Sequence, residues 1–81
     1  MRRIERTTAF RRDLDSLVSR VVSLLADDIP LPDKNRDHGL AGDWQDHREC
    51  HLKPDLLMIY RKPSVEVLQL VRLGSHSELF G

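Results

Sequence analysis

The stretch from Arg48 to Tyr60 constrains the fold more than any other, because it joins a polar alternation to an apolar run across a proline. Leu56 to Tyr60 is apolar on both alternating faces, the pattern of a central strand covered from two sides. Pro54 cannot donate to a strand ladder and marks a bend just before that run. His51 and Asp55 stand four residues apart around the bend, so two ionisable side chains are held at the rim of a rigid sheet. A fixed backbone beneath and partial exclusion of water suit such a rim to acid/base chemistry.

The flanking patterns complete a small α+β domain. Arg3 to Thr8 reads as a short edge strand, with Thr7 or Thr8 placed to cap the helix after it. Phe10, Leu14, Leu17, Val21 and Leu24 recur at helical spacing, joined by Val18 and Leu25, which predicts one helix over Ala9 to Asp27. Leu31 to Asp43 contains Pro32, Gly39 and Gly42 with no sustained period, and is expected to be a surface connection. From Trp44 to Leu52 the chain alternates. Trp44, Asp46, Arg48, Cys50 and Leu52 take one face, and Gln45, His47, Glu49 and His51 a wholly polar second face. Leu56 to Lys62 is the next strand, Pro63-Ser64 a turn, and Val65 to Leu73 a third long strand, giving an antiparallel meander. After Gly74, Ser75 caps a last turn of helix that docks Leu79 and Phe80. The expected architecture is an antiparallel sheet of about four strands with the N-terminal helix on one face and the opposite face left for function.

At 81 residues the chain makes one domain, 1–81. A domain of this size buries only about 60–65% of its unfolded surface. Its single cysteine, Cys50, forms no staple within the chain, and there is no apolar run of the roughly 20 residues that span a bilayer. No membrane association is expected, and the cytoplasm is the default compartment. Thirteen basic residues balance thirteen acidic ones, so total charge does not advertise a nucleic-acid binder. Arg2, Arg3, Arg6, Arg11 and Arg12 nevertheless face only Glu5 in the first twelve positions. Such a run is ordinarily a solvated surface.

Four histidines, His38, His47, His51 and His76, are a high count for this length. A His/Cys/Asp cluster raises a metal first, but there is no Cys-x-x-Cys pair, and on a strand Cys50 points away from His51, so no metal is expected. The alternative is metal-free phosphodiester cleavage. One group takes the proton of a ribose 2′-hydroxyl, another protonates the leaving oxygen, and a cation steadies the phosphorane. Histidine suits both proton roles, and Arg48 or Arg72 could grip a phosphate with a guanidinium fork. Residue types alone do not establish this, since a surface histidine is usually solvated and an Asp after Pro is usually turn chemistry.

Three separated segments carry a resemblance. Arg36-Asp37-His38-Gly39-Leu40-Ala41-Gly42-Asp43-Trp44, Arg48-Glu49-Cys50-His51-Leu52-Lys53-Pro54-Asp55-Leu56-Leu57-Met58-Ile59-Tyr60 and Arg72-Leu73-Gly74-Ser75-His76-Ser77-Glu78-Leu79-Phe80-Gly81 resemble the YafQ branch of the RelE/ParE toxin superfamily, in order and spacing. The resemblance implies a ribosome-dependent mRNA interferase of a bacterial type II toxin–antitoxin pair, needing no metal or other cofactor. Its implied partners are the bacterial ribosome with its mRNA and a cognate antitoxin of the DinJ/RelB kind. By position it implies His38, His51, Asp55 and His76 as the acid/base set, Arg72 as a phosphate contact, and Phe80 as an aromatic that stacks on or orders the substrate. His47 matches none of these and is expected to be a surface or groove residue.

Two departures from the family pattern carry expectations of their own. Members have a helical hairpin before the Leu-Pro motif, whereas here Leu17 runs into Val18 with about ten residues fewer, which predicts two helices merged into one. Members are basic, and a neutral chain should bind RNA with a shallower salt dependence. Two functional readings therefore stand: an RNA-cleaving enzyme, or a non-catalytic module of the same fold that acts through protein partners, as gyrase-poisoning relatives do. Those relatives lack this histidine set, which favours the first.

Overall fold

The meander predicted from the apolar runs forms the centre of the sheet. In the structure, a computed structural model that describes residues 1–7 and 16–81, five strands and two helices succeed one another. They are β1 (Arg3–Arg6), α1 (Ser16–Ala26), β2 (His38–Gly39), β3 (Arg48–Lys53), β4 (Leu56–Ser64), β5 (Val67–Gly74) and α2 (His76–Phe80). Single 3₁₀ turns lie at Asp33–Asn35 and Gly42–Trp44. The sheet order is β1-β5-β4-β3-β2, antiparallel except for the parallel edge pair β1–β5.

Strand alternation divides the molecule into two apolar layers. On one face Val18, Val21, Val22, Leu25 and Ala26 of α1 pack against Cys50, Leu52, Met58, Tyr60, Leu68, Leu70 and Leu73. On the other, Leu57 and Ile59 meet Leu79 of α2, with Leu40, Trp44, Val71 and Phe80 around them. Of the predicted helix stripe, Val18, Val21 and Leu25 lie in this layer and Leu24 is half-buried beside it; its part from 9 to 15, Thr8 and the side chain of Leu17 lie outside the described residues. The Thr7 hydroxyl donates to the Val71 carbonyl at 2.6 Å. Among the described residues no helix is long and apolar enough to cross a membrane.

Three expectations change in detail. The connection from Leu31 to Asp43 contributes a fifth strand, β2, because His38 and Gly39 pair with Glu49 and Arg48. The strand expected from Trp44 begins only at Arg48, since Gly42 and Asp46 take left-handed backbone (φ 64 and 71) and turn the chain beforehand. Pro63-Ser64 is the end of β4 and not the turn. Pro63 falls where the β4–β5 register shifts between Arg61 and Ser64, so its missing N–H is tolerated. The Ser64 hydroxyl accepts from the Glu66 N–H at 3.2 Å and carries the reversal to the next two residues.

The C-terminus of α1 is closed by a left-handed Asp28 (φ 58). Its N–H donates to Leu25 O at 3.1 Å and that of Ile29 to Leu24 O at 2.9 Å, the paired bonds that satisfy a helix's last carbonyls. The Asp28 carboxylate accepts from Lys62 Nζ at 2.7 Å and Arg2 Nε at 2.9 Å, and these bonds hold its pKa below the usual 3.8. A depressed carboxyl pKa stabilises the fold above the unfolded value and loses that contribution as pH falls through the folded one. Asp28→Asn keeps a residue that tolerates left-handed backbone. The variant is therefore expected to melt below the parent at pH 7 and level with it near pH 2, in thermal melts across that range.

Candidate active site

Two imidazoles from separate strands flank one buried carboxylate on the α2 side of the sheet. His38 and Glu49 are directly opposed across β2 and β3, and His51 lies two residues on from Glu49, on the same face by strand alternation. His38 Nε2 is 3.5 Å from Glu49 Oε2, and His51 Nε2 is 3.5 Å from Glu49 Oε1. The Glu49 side chain is 7% exposed, against 51% for His38 and 20% for His51. A nearly buried carboxylate needs compensating partners; here each oxygen faces a ring nitrogen, which compensates it when that nitrogen takes up a proton and the imidazole is charged.

His38 Nδ1 lies 2.7 Å from the Arg36 carbonyl, and because a carbonyl only accepts, Nδ1 carries the proton. Nε2 is then the nitrogen turned to Glu49. The His51 backbone is fixed separately, its carbonyl accepting from Asn35 Nδ2 at 2.7 Å.

Arg72 reaches this face through an irregularity in β5. The β4–β5 register pairs Ile59 with Arg72 but Tyr60 with Leu70, which leaves Val71 as an extra residue. Without the shift, alternation from Leu70 would send Arg72 toward α1. The bulge instead sets it opposite Ile59, in the row that also holds Glu49.

The short helix α2 carries His76 and Phe80. Ser75 and Glu78 form a capping box: Ser75 Oγ accepts from the Glu78 N–H at 3.2 Å, and Glu78 Oε1 accepts from the Ser75 N–H at 2.7 Å. Gly74 eases this approach, since a Cβ there would lie a tight 3.1 Å from Glu78 Oε1. His76 and Phe80 stack tilted at 5.1 Å between ring centres, Phe80 meets Trp44 edge-on at 6.2 Å, and Trp44 meets His47 at 5.3 Å. Phe80 is half-buried, so it is at once a core anchor and a partly open ring. Ser75→Ala is expected to cost about 0.5–2 kcal/mol through the lost cap. Faster hydrogen exchange of the α2 amides than of the β4 amides would report it.

The remaining predicted residues are placed differently. Asp55 is exposed in the two-residue turn between β3 and β4. Arg48 stands on the α1 face, opposite Tyr60, where its Nε donates to Asp37 Oδ1 at 3.2 Å and Tyr60 Oη at 3.3 Å. The structure therefore brings together His38 and His51, sets Arg72 in their row and α2 on their face, and keeps Arg48 on the other side. Glu49, at the centre, carries no site signal in the sequence beyond the alternation that sets it on the face of His51. Among the described residues no three His, Cys, Asp or Glu side chains are grouped to hold a metal ion. A groove of about 570 Å³ lies on the α1 side, lined by Val21, Leu24 and Leu52 with Arg20, Lys34 and Lys53. It is a concavity of mixed apolar and cationic character that Asn35, Arg36 and His51 also line, whereas His38 and Glu49 do not.

A sheet of this order with a helix on each face is also the fold of solved bacterial toxins. A metal-bound toxin from Helicobacter pylori superposes with a TM-score of 0.87 at 47% identity, covering 99% of this chain and 100% of that one. The toxin in the Escherichia coli DinJ–YafQ complex superposes with a TM-score of 0.84 at 29% identity, with both chains covered completely (100%). The mRNA interferase toxin YafQ of Escherichia coli K12 is 36% identical over 70 residues, 86% of this chain and 75% of its own. The family described as bacterial toxin of type II toxin-antitoxin system, YafQ, matches residues 2–81. The chain belongs to the YafQ family of type II toxin–antitoxin toxins.

Proposed function

We propose that this chain is a cytoplasmic mRNA interferase, an endoribonuclease that cuts translated mRNA on the bacterial ribosome and is silenced by a cognate antitoxin of the DinJ/RelB kind. The observation that carries the reading is the pair of imidazole Nε2 atoms at 3.5 Å from the two oxygens of Glu49. Groups able to donate and accept protons thereby converge on one patch. In the reaction, the ribose 2′-oxygen loses its proton to this array and attacks the adjacent phosphorus. The bond to the 5′-oxygen breaks, that oxygen gains a proton from a histidine, and a cyclic phosphate and a free 5′-hydroxyl remain.

Glu49 supports the positive charge that the imidazoles take up, and Arg72 offers a fork to the phosphate oxygens. His76 extends the proton set from α2, Asp55 from the β3–β4 turn, and Phe80 presents a π-face to a base, an interaction of about 1–3 kcal/mol. Arg48 is assigned no direct phosphate contact, because Asp37 and Tyr60 engage it on the far face. With a net charge of zero, the chain is expected to bind RNA with a shallower salt dependence than a basic relative.

Primer-extension mapping of mRNA in a translating extract tests the reading. Cuts at fixed codon positions are expected with ribosomes and not without them. Growth arrest by the parent and by His76→Ala alike, with no mapped cuts, would remove the nuclease reading in favour of a module acting through protein partners.

A further inference from the structure

Three consecutive residues outside the proton set hold it from one side, each with a different group. Asn35, 7% exposed, donates its amide to the His51 carbonyl at 2.7 Å. Arg36 takes left-handed backbone (φ 47, ψ 45), and its carbonyl accepts the His38 Nδ1 proton at 2.7 Å. Asp37 Oδ1 accepts from Tyr60 Oη at 2.5 Å and from Arg48 Nε at 3.2 Å.

Tyr60 is 1% exposed in the α1-side core, so the phenol ties the segment to the rigid centre of the sheet. Burial and the bond to Asp37 both push its pKa upward, which keeps the hydroxyl a donor over the working pH range. The Arg48 guanidinium lies over the β2 backbone, where a Cβ on Gly39 would be 3.6 Å from Nη1. β2 has only two residues, so its own ladder is a weak constraint on His38.

We propose that Asn35, Arg36 and Asp37 form a positioning strap, anchored by Tyr60 and Arg48, that sets the tautomer of His38 and its placement across Glu49 from His51. The strap residues act in this proposal through the imidazoles, as positioning residues. A non-glycine residue in left-handed backbone is uncommon and costly for a bulky side chain, and here it aims one carbonyl at one ring nitrogen. With the Nδ1 proton held by that carbonyl, Nε2 is the nitrogen presented to Glu49 and the reacting face. The consequence for catalysis rests on the proposed nuclease activity; the tautomer itself does not.

The test uses the whole chain with ¹⁵N-labelled histidine. Long-range ¹H–¹⁵N spectra of Asp37→Ala, Asp37→Asn and Tyr60→Phe report the His38 tautomer, and ribosome-dependent cleavage is measured on the same samples. Asp37→Ala and Tyr60→Phe are expected to give a mixture of His38 tautomers and to lower cleavage about 10- to 100-fold, with Asp37→Asn, which keeps the acceptor, within about threefold of the parent. Unchanged His38 signals in both variants overturn the strap whatever the rate does, and so does a tautomer mixture with undiminished cleavage. If Asp37→Ala fails to fold, the isosteric Tyr60→Phe decides. If the parent cleaves no mRNA, the nuclease reading fails and the tautomer spectra alone decide the strap.

Discussion

Glutamine in place of Glu49 is expected to lower ribosome-dependent mRNA cleavage by about 10²- to 10⁴-fold, the range associated with a positioned acid–base group. The side chain keeps its volume and can still accept from one imidazole, so the fold is little disturbed. What disappears is the negative charge between two Nε2 atoms at 3.5 Å each. Without it, an imidazole that takes up a proton does so beside a neutral amide in a nearly buried site, where charge is poorly solvated. Primer extension with parent and variant at equal concentration measures the loss, and a thermal melt on the same preparation separates chemistry from folding. Cleavage within about threefold of the parent would mean that the carboxylate is only a structural partner of the two rings, since positioned acid–base groups contribute far more.

Leu68→Ala should produce the largest loss of stability. Leu68 is 0% exposed in β5, with β1 on one side, where it pairs with Ile4, and β4 on the other. Its side chain faces the α1 layer, where little can collapse into the space left behind. A buried Leu→Ala substitution costs about 2–5 kcal/mol, cavity included. At about 0.05–0.15 kcal/mol per residue, 81 residues yield a total of roughly 4–12 kcal/mol. One residue therefore removes a large share of the margin, and because 1 kcal/mol moves the midpoint of a domain this size by about 4–8 °C, a fall of at least about 10 °C is expected. Circular dichroism melts would show it; a shift below about 5 °C would mean that the α1-side layer is not the main core.

The two variants probe opposite faces of one sheet, and the division between those faces was partly legible beforehand. Leu56 to Tyr60 announced a central strand because only burial on both sides tolerates an unbroken apolar run, and it became β4 between β3 and β5. Alternation over β3 already separated Glu49 and His51 from Arg48, Cys50 and Leu52, so the placement of Arg48 away from the histidines was implicit in period-2 geometry. Residue type drew it into the phosphate-binding set, because a guanidinium is suited to phosphate wherever it points. Glu49 gives no such signal for the converse reason: an acid in a polar alternation reads as solvated. Its burial comes from β2 lying alongside, a pairing between residues eleven apart in sequence.

Local order along the chain was enough to determine the element types, because hydrophobic period and turn chemistry act over a few residues. The α1 stripe, the apolar strands and the Ser75 cap belong to that class. Tertiary structure alone decided which polar groups meet. The two-residue β2 exists only as a partner of β3, the bulge at Val71 that turns Arg72 to the α2 face exists only in register with β4, and Asn35, Arg36 and Asp37 find their partners across the fold. Such contacts depend on hydrogen-bond geometry between segments distant in sequence, which leaves no periodic trace in either of them.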